Sequence, residues 1–306
     1  MRSYLKNENG FVEVDQWEPR CWVNVQQPDA DDVSFLIDDM GIPSDFLDSI
    51  ADIDERPRVE RDGNWKLTII RIPLRTESGK LPYVTVPLGI IINGEVVITV
   101  CHHRTELIPD FISFTRCKGT RIAHESDFVI RLVYSSTYWF LRYLREMGDE
   151  VGHAEEGLRT SVRNELLIRM MTLQNTLVYF NTSIKGNEMI MPRIPKLYGD
   201  LEDTDLYDDV EIELAQAENT VNVYTAIIGG MTDSFANIIS NNVNDIMKKM
   251  TTISLVLMVP TMVASFYGMN VQINHVNNPW SFFIIVFGSL LVSAILYLLL
   301  RKTKWV

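Results

Sequence analysis

The sequence predicts an α/β domain on the cytoplasmic side of a membrane, followed by long helices and two C-terminal transmembrane helices. Three observations carry this reading. Trp280–Leu300 holds 21 residues without a charge, and about 20 apolar residues cross the hydrocarbon layer of a bilayer. A second apolar stretch, from Ile246 to Tyr267, precedes it closely. Upstream, strand-like runs fill residues 11–100, and breaker-poor helical runs follow from Glu125.

The soluble elements follow in order. Residues 11–25 read as two short strands. Asp29–Met40 reads as a helix: it opens on Asp-rich caps and places Val33, Leu36, Ile37 and Met40 on one face. A short helix follows Pro43. Strands are expected at Trp65–Ile72, Tyr83–Ile92 and Glu95–Val100. The Asn93-Gly94 pair between the last two is a hairpin turn signal. The run Ile90-Ile91-Ile92 suits a central strand buried on both faces. Glu125–Lys185 contains no proline, and Pro192 and Pro195 then interrupt the helical pattern. From about Asp203 to Tyr267 the only breakers are Gly229, Gly230 and Pro260. A continuous helix there would be about 95 Å long at 1.5 Å per residue. The expected divisions are 1–124 (α/β), 125–202 (helical), 203–245 (stalk helix), 246–268 (first span), 269–279 (outer loop), 280–300 (second span) and 301–306 (basic tail).

Charge sets the orientation. The 306 residues carry a formal net charge of −12. No Asp or Glu lies beyond residue 245, and five of the 28 bases do: Lys248, Lys249, Arg301, Lys302 and Lys304. Residues 1–245 therefore hold 23 bases against all 40 acids, a net of −17. Such a domain repels nucleic acid and concentrates cations at its surface. Bases flank both spans, and the connecting segment Met269–Pro279 has no Lys or Arg. The positive-inside rule puts both chain ends in the cytoplasm, which in a bacterial-type cell makes this a multi-pass inner-membrane protein. Trp280 and Trp305 mark the ends of the second span. Cys21, Cys101 and Cys117 are odd in number and form no C-x-x-C pair, as expected of reduced cytosolic thiols. The N-terminus has no apolar signal segment.

The first span carries a polar seam. Asn244, Met247, Thr251, Ser254, Met258, Thr261, Ser265 and Gly268 recur at alternating spacings of three and four, which places them on one helix stripe. Two readings stand side by side. Small polar residues suit helices packed around an axis, as in a pore; Ser and Thr also commonly bond back to their own helix. Pro260 removes one helix hydrogen bond and is expected to kink the span.

Elsewhere the chemistry is sparse. Asp200–Glu213 contains eight carboxylates and no base. Charge runs are usually solvated faces, the favoured reading here. A hard-cation site is the alternative, since Mg2+ takes oxygen ligands. Cys101-His102-His103 is a poor zinc site, because neighbours at a strand end point to opposite faces. No nucleophile–base motif, P-loop or dinucleotide turn is present. An enzyme or an organic cofactor is not expected. His275 falls in the outer loop.

The most informative segment is Tyr267-Gly268-Met269-Asn270, at the outer end of the first span. Gly268 lets the backbone leave the helix at no steric cost. Asn270 places a neutral carboxamide at the mouth. Several copies would form a ring of acceptors that holds a hydrated cation without stripping its water, as Mg2+ requires.

With its long entering helix, short loop, second span and basic tail ending Lys304-Trp305-Val306, this tetrapeptide resembles the CorA family of divalent-cation channels. Trp22-Val23-Asn24-Val25, Gly41-Ile42 and Glu55-Arg56-Pro57-Arg58-Val59-Glu60 resemble family segments in the same order. The resemblance implies a funnel-shaped homopentamer in the lipid bilayer, with the long helix as inner wall and pore lining. It implies Mg2+ as the transported ion, with Co2+ and Ni2+ passed by some members. Gly268, Met269 and Asn270 would form the selectivity filter. Asn244, Met247, Thr251, Ser254, Met258, Thr261 and Ser265 would line the pore, and Met247, Met250 and Met258 would form apolar gates. Mg2+ bound between subunits would close the pore, with Asp205, Asp208, Asp209 and Asp233 as its candidate ligands. The outer loop here has no carboxylate, unlike many members. The intact Gly-Met-Asn favours the Mg2+ branch over the zinc branch. The alternatives are a Co2+, Ni2+ or Zn2+ transporter of the same fold, or a non-conducting membrane-anchored cation sensor.

Overall fold

A computed structural model describes residues 2–8, 10–76, 81–120, 122, 124–160, 164–199, 201, 203–269 and 280–303, with the backbone alone at 157–160 and 164. The chain divides into two compact units, Met1–Met231 and Thr232–Val306.

The first unit is built on a seven-stranded mixed sheet. Its strands are β1 (Arg2–Asn7), β2 (Phe11–Val14), β3 (Trp22–Gln26), β4 (Arg58–Asp62), β5 (Trp65–Arg75), β6 (Tyr83–Ile92) and β7 (Val97–Cys101), in spatial order β2-β1-β3-β7-β6-β5-β4. Among the described residues only β3 and β7 pair in parallel; the other ladders are antiparallel. The expected hairpin joins β6 to β7. Asn93 Oδ1 accepts the amides of Glu95 and Val96, each at 3.1 Å, and Gly94 takes the positive φ of +89° that the turn demands. The triple isoleucine behaves as a two-faced strand: Ile90 and Ile92 enter one core and Ile91 the other.

Those two cores make three layers. One face of the sheet packs on α1 (Ala30–Ser34), a π-turn (Phe35–Asp39) and α2 (Ser44–Ala51) through Leu36, Phe46 and Ile50. The sequence reads Asp29–Met40 as one helix. The chain instead makes a single α-turn capped by Asp29, whose Oδ1 accepts the Asp32 amide at 2.8 Å, and then widens to π. The other face packs on α3 (Leu107–Lys118), α4 (Glu125–Thr160) and α5 (Asn164–Ile190), with a 3₁₀ turn (Met191–Arg193) and α6 (Ile194–Tyr198) at Pro192 and Pro195. Sequence patterning misses β1, β4 and α3. β1 and β4 are short or charged, and α3 carries Pro109 in its first turn.

A side-chain amide completes the sheet where a strand stops. β4 cannot run back past Pro57, which has no N–H to donate. At that level the backbone of Arg71 in β5 faces Asn187 of α5. The Arg71 amide donates to Asn187 Oδ1 at 2.8 Å, and its carbonyl accepts Asn187 Nδ2 at 2.8 Å and Ser136 Oγ at 3.0 Å. Asn187, fully buried, thus replaces a strand residue and ties α5 to the sheet. The Arg71 guanidinium reaches the carbonyls of Ile53, Glu55 and Thr85, which fixes the loop before β4.

From Thr204 to Tyr267 the chain forms one helix, α7, continuous through Pro260. Within the first unit it buries Val210, Leu214, Ala217, Val221, Ile228 and Met231, a stripe at helical spacing. In the second unit its end is accompanied by α8 (Ser281–Lys302). Both helices are long and apolar enough to cross a membrane.

At the end of β7, Cys101 is buried and its thiol is pushed up to about 11 by that burial. His102 and His103 are half-buried. Burial lowers the pKa of both, and it is lowered further by His103 for His102 and by Arg71 for His103. Among the described residues, no three His, Cys, Asp or Glu side chains gather around a common point.

Two outcomes follow for the soluble unit. A Cβ at Gly89 of β6 would lie 2.1 Å from Ile50 Cδ1 and 2.5 Å from its Cγ1, and Ile50 is itself fully buried. Gly89→Ala is expected to cost about 1–3 kcal/mol by overpacking, read as a lower thermal midpoint of the full chain in detergent. Because the folded pKa values of His102 and His103 lie below the ordinary 6.5, the unfolded chain binds more protons as pH falls below that value. Stability contributed by the neutral rings is then lost on acidification. The double variant His102→Gln/His103→Gln should flatten the fall of the melting midpoint below pH 6.5.

Candidate functional site

The second unit shows a sharp division between shielded and open faces. On α7, Thr252 is buried and Val256, Val259, Pro260 and Val263 are half-buried. On α8 the protected stripe is Ser281, Ile285, Ser289, Ser293, Leu296 and Leu300, at steps of four and three. These small hydroxyl residues suit close approach of helices in lipid. Thr252 and Ser289 satisfy their hydroxyls on their own helices, at the Lys248 and Val286 carbonyls, each at 2.9 Å.

The seam read from the sequence lies on the opposite side of α7. At 3.6 residues per turn, Asn244, Met247, Thr251, Ser254, Met258, Thr261, Ser265 and Gly268 project about half a turn from the shielded stripe. Every one of them is exposed in the single chain, with Met247 and Met258 at 60% and 59%. Met250, on the edge of the seam, is 65% exposed. An open groove of about 610 Å³ runs along this face, lined by Ser254, Met258, Thr261 and Ser265 with Leu257 and Phe266. Ile253, Leu255, Leu257 and Met262 of the same segment are exposed as well; the seam differs from them in combining hydroxyls with methionines in one stripe.

Both sequence readings of the hydroxyls hold at once. Thr251 Oγ1 donates to the Met247 carbonyl and Thr261 Oγ1 to the Leu257 carbonyl, each at 2.8 Å. The hydrogens are thereby committed to the helix. The oxygens keep their lone pairs and face outward as acceptors. Acceptors suit the hydrogens of water held on a cation.

The seam also extends further than the sequence reading placed it. Continuing the three-four spacing upstream of Asn244 gives Ser240, Asn237 and Asp233, all exposed. In the first unit the same spacing gives Gly230, Ala226, Val223, Asn219, Gln216 and Ile212, also all exposed. Only Asp233 among these carries a charge. The signal was present as a heptad, but its members upstream are too mixed in polarity to stand out as a stripe.

At the outer end, α7 stops at Tyr267. Gly268 does not leave the helix by a positive φ, as its residue type invited. Its amide still bonds the Ala264 carbonyl at 3.0 Å, and a Cβ there would come within 3.3 Å of that oxygen. Glycine serves closeness to the last turn rather than conformational freedom. Met269 is exposed. Asn270, the remaining outer loop with His275, and Lys304–Val306 lie outside the described residues.

Asp205, Asp208 and Asp209 sit exposed at the start of α7, and Asp233 is exposed in the second unit. Asp209 and Glu213 raise the pKa of Tyr134 on α4, after burial, and the Tyr207 hydroxyl is pushed up to about 12 by burial and by Glu211. Arg131 pairs with Asp203 at 3.3 Å. A single chain thus assembles no cation site from these acids among the described residues.

The family described as CorA-like Mg2+ transporter protein matches residues 18–302. The cobalt/magnesium transport protein CorA of Methanocaldococcus jannaschii is 24% identical over 292 residues, covering 93% of this chain and 91% of the relative. That of Thermotoga maritima is 21% identical over 299 residues, covering 93% and 83%. The complete structure of the CorA magnesium transporter from Methanocaldococcus jannaschii superposes with a TM-score of 0.87 at 22% identity, covering 100% of this chain and 99% of that one.

Proposed function

The chain belongs to the CorA family of membrane transporters, and from that premise we propose that it is a homopentameric channel for hydrated divalent cations, chiefly Mg2+. The carrying observation is the exposed seam of α7, opposite the stripe shared with α8. Copies arranged around an axis would turn that seam inward. Small residues at a heptad repeat allow close approach, and their size leaves room on the axis. Asn270 would close the outer end as a ring of neutral acceptors. Acceptor-only threonines at 251 and 261 would meet the water shell of the ion further in. Both termini would lie in the cytoplasm. Entry would be passive, drawn by the membrane potential at about 2.3 kcal/mol per charge per 100 mV, hence about twice that for Mg2+.

Closure would be apolar. Rings of Met247, Met250 and Met258 would shed water at low aperture and stop conduction. Cytoplasmic Mg2+ would favour that state by bridging Asp205, Asp208, Asp209 or Asp233 to acids of a neighbouring copy. The seventeen-charge excess of acid over base in residues 1–245 would otherwise push the copies apart, and a shared divalent ion offsets this repulsion.

The test is Mg2+ influx into liposomes that hold the purified chain. Wild type should conduct when Mg2+ is chelated on the cytoplasmic face. Asn270→Ala should lower influx at least about tenfold, a loss of about 1.4 kcal/mol in barrier terms. Absence of influx in oligomeric wild-type protein, with Mg2+ chelated, would shift the reading to another metal, tested next with Co2+, or to a non-conducting sensor.

A further inference from the structure

We infer that Lys248 and Lys249 of α7 and Arg301 and Lys302 of α8 form a band that binds the headgroups of anionic phospholipid. The inference rests on the two membrane spans and goes beyond ion passage.

Depth brings the four together. Lys249 precedes Tyr267 by about 27 Å along α7, and Arg301 follows Ser281 by about 30 Å along α8. The hydrocarbon layer is about 30 Å thick, so both pairs reach the same membrane surface. All four side chains are exposed. No Asp or Glu lies beyond residue 245 to neutralise them. Lys248 meets Asp245 only at 4.0 Å, with side chains 48% and 65% exposed, a pairing that water screens. Lys249, Arg301 and Lys302 meet no acid among the described residues.

Their facing selects the partner. At about 100° per residue, Lys248 and Lys249 fall one turn before the buried Thr252, on the shielded side of α7 and away from the seam. Arg301 and Lys302 fall away from the stripe of Ser289 and Ser293, on the open side of α8. None of the four belongs to the seam, so what meets them comes from the bilayer. The next turns toward the hydrocarbon are apolar and exposed. Ile253 and Leu257 follow Lys249 on α7, and Leu298 and Ile295 precede Lys302 on α8. A molecule that is anionic at one end and hydrocarbon beyond it satisfies both parts; a free phosphate satisfies only the bases. The long stems of Lys and Arg reach from apolar turns to the charged layer, and each base at a membrane surface adds to the attraction for anionic lipid.

Native mass spectrometry of the full chain in detergent tests this. Wild type should take up phosphatidylglycerol about tenfold more strongly than phosphatidylcholine, and the preference should shrink as ammonium acetate is raised. Lys248→Gln/Lys249→Gln and Arg301→Gln/Lys302→Gln each leave the bases of the other helix, and each should weaken phosphatidylglycerol binding about tenfold. Lys248→Arg/Lys249→Arg should bind as wild type does. Replacing four exposed bases of the first unit, Arg20, Lys118, Arg145 and Lys196, by Gln should leave binding unchanged. An excess of inorganic phosphate should not displace the lipid. A wild-type preference that is absent or insensitive to salt, full binding by either Gln pair, or displacement by inorganic phosphate would overturn the band. The wild-type measurements decide the matter even where a Gln pair fails to assemble. No readout here needs ion flux, so a chain that conducts nothing leaves the band standing, and loss of the band leaves the channel reading standing.

Discussion

One helix has to satisfy two solvents. α7 is 64 residues long, and its first half serves the core of a water-soluble unit while its last turns lie among residues suited to lipid. A helix can do this because its backbone hydrogen bonds are all internal, so the main chain is indifferent to what surrounds it. Only the side chains change. In the soluble unit the buried stripe is aliphatic: Val210, Leu214, Val221 and Ile228. Beyond residue 245 the buried residues are small and hydroxylic, Thr252 on α7 and Ser289 and Ser293 on α8, among half-buried valines and leucines. Water drives the first kind of packing, and close approach drives the second, since lipid gives no hydrophobic reward for burying leucine. The seam from Asn244 to Gly268 is left exposed in one chain.

The soluble unit solves a different problem, that of ending strands inside a layered structure. β5 is eleven residues long and β4 only five. The surplus edge of β5 would leave backbone groups without partners beneath α4 and α5. Asn187 supplies an amide of the right shape, and Ser136 adds a hydroxyl. Gly186, beside it, has room for no Cβ, since one would lie 2.7 Å from the Pro57 ring. Pro57 therefore both stops β4 and packs against the helix that replaces it. The same economy brings Arg71 out of its strand to hold three carbonyls of the adjoining segments. A half-buried guanidinium that makes those bonds needs no carboxylate partner in contact.

The acidic character of residues 1–245 links the two units chemically. Carboxylates spread over α7 and the loops before β4 give single chains a reason to repel one another and a reason to bind cations. No cluster in one chain is tight enough to hold a metal among the described residues. A cation sensor assembled only between copies would report on assembly and ion level together.

Much of this was legible in the sequence. Both spans, the hairpin at Asn93-Gly94, the two-faced β6 and the seam from Asn244 to Gly268 follow from periodicity and turn chemistry, which are local properties. Periodicity named the seam residues but left open whether they face a partner, a pore or their own helix. The tertiary structure adds which residues one chain shields: Thr252, Val256 and Val263 are withdrawn, while the seam stays exposed together with Ile253, Leu257 and Met262. Likewise no local pattern announces Asn187, a buried polar residue in the last turn of a helix, because its role is fixed by the edge of a strand 116 residues away in sequence. Local signals determine which elements form, since they depend on spacing within one stretch of chain. Which face is covered, and which is left open for function, depends on what distant segments bring to it.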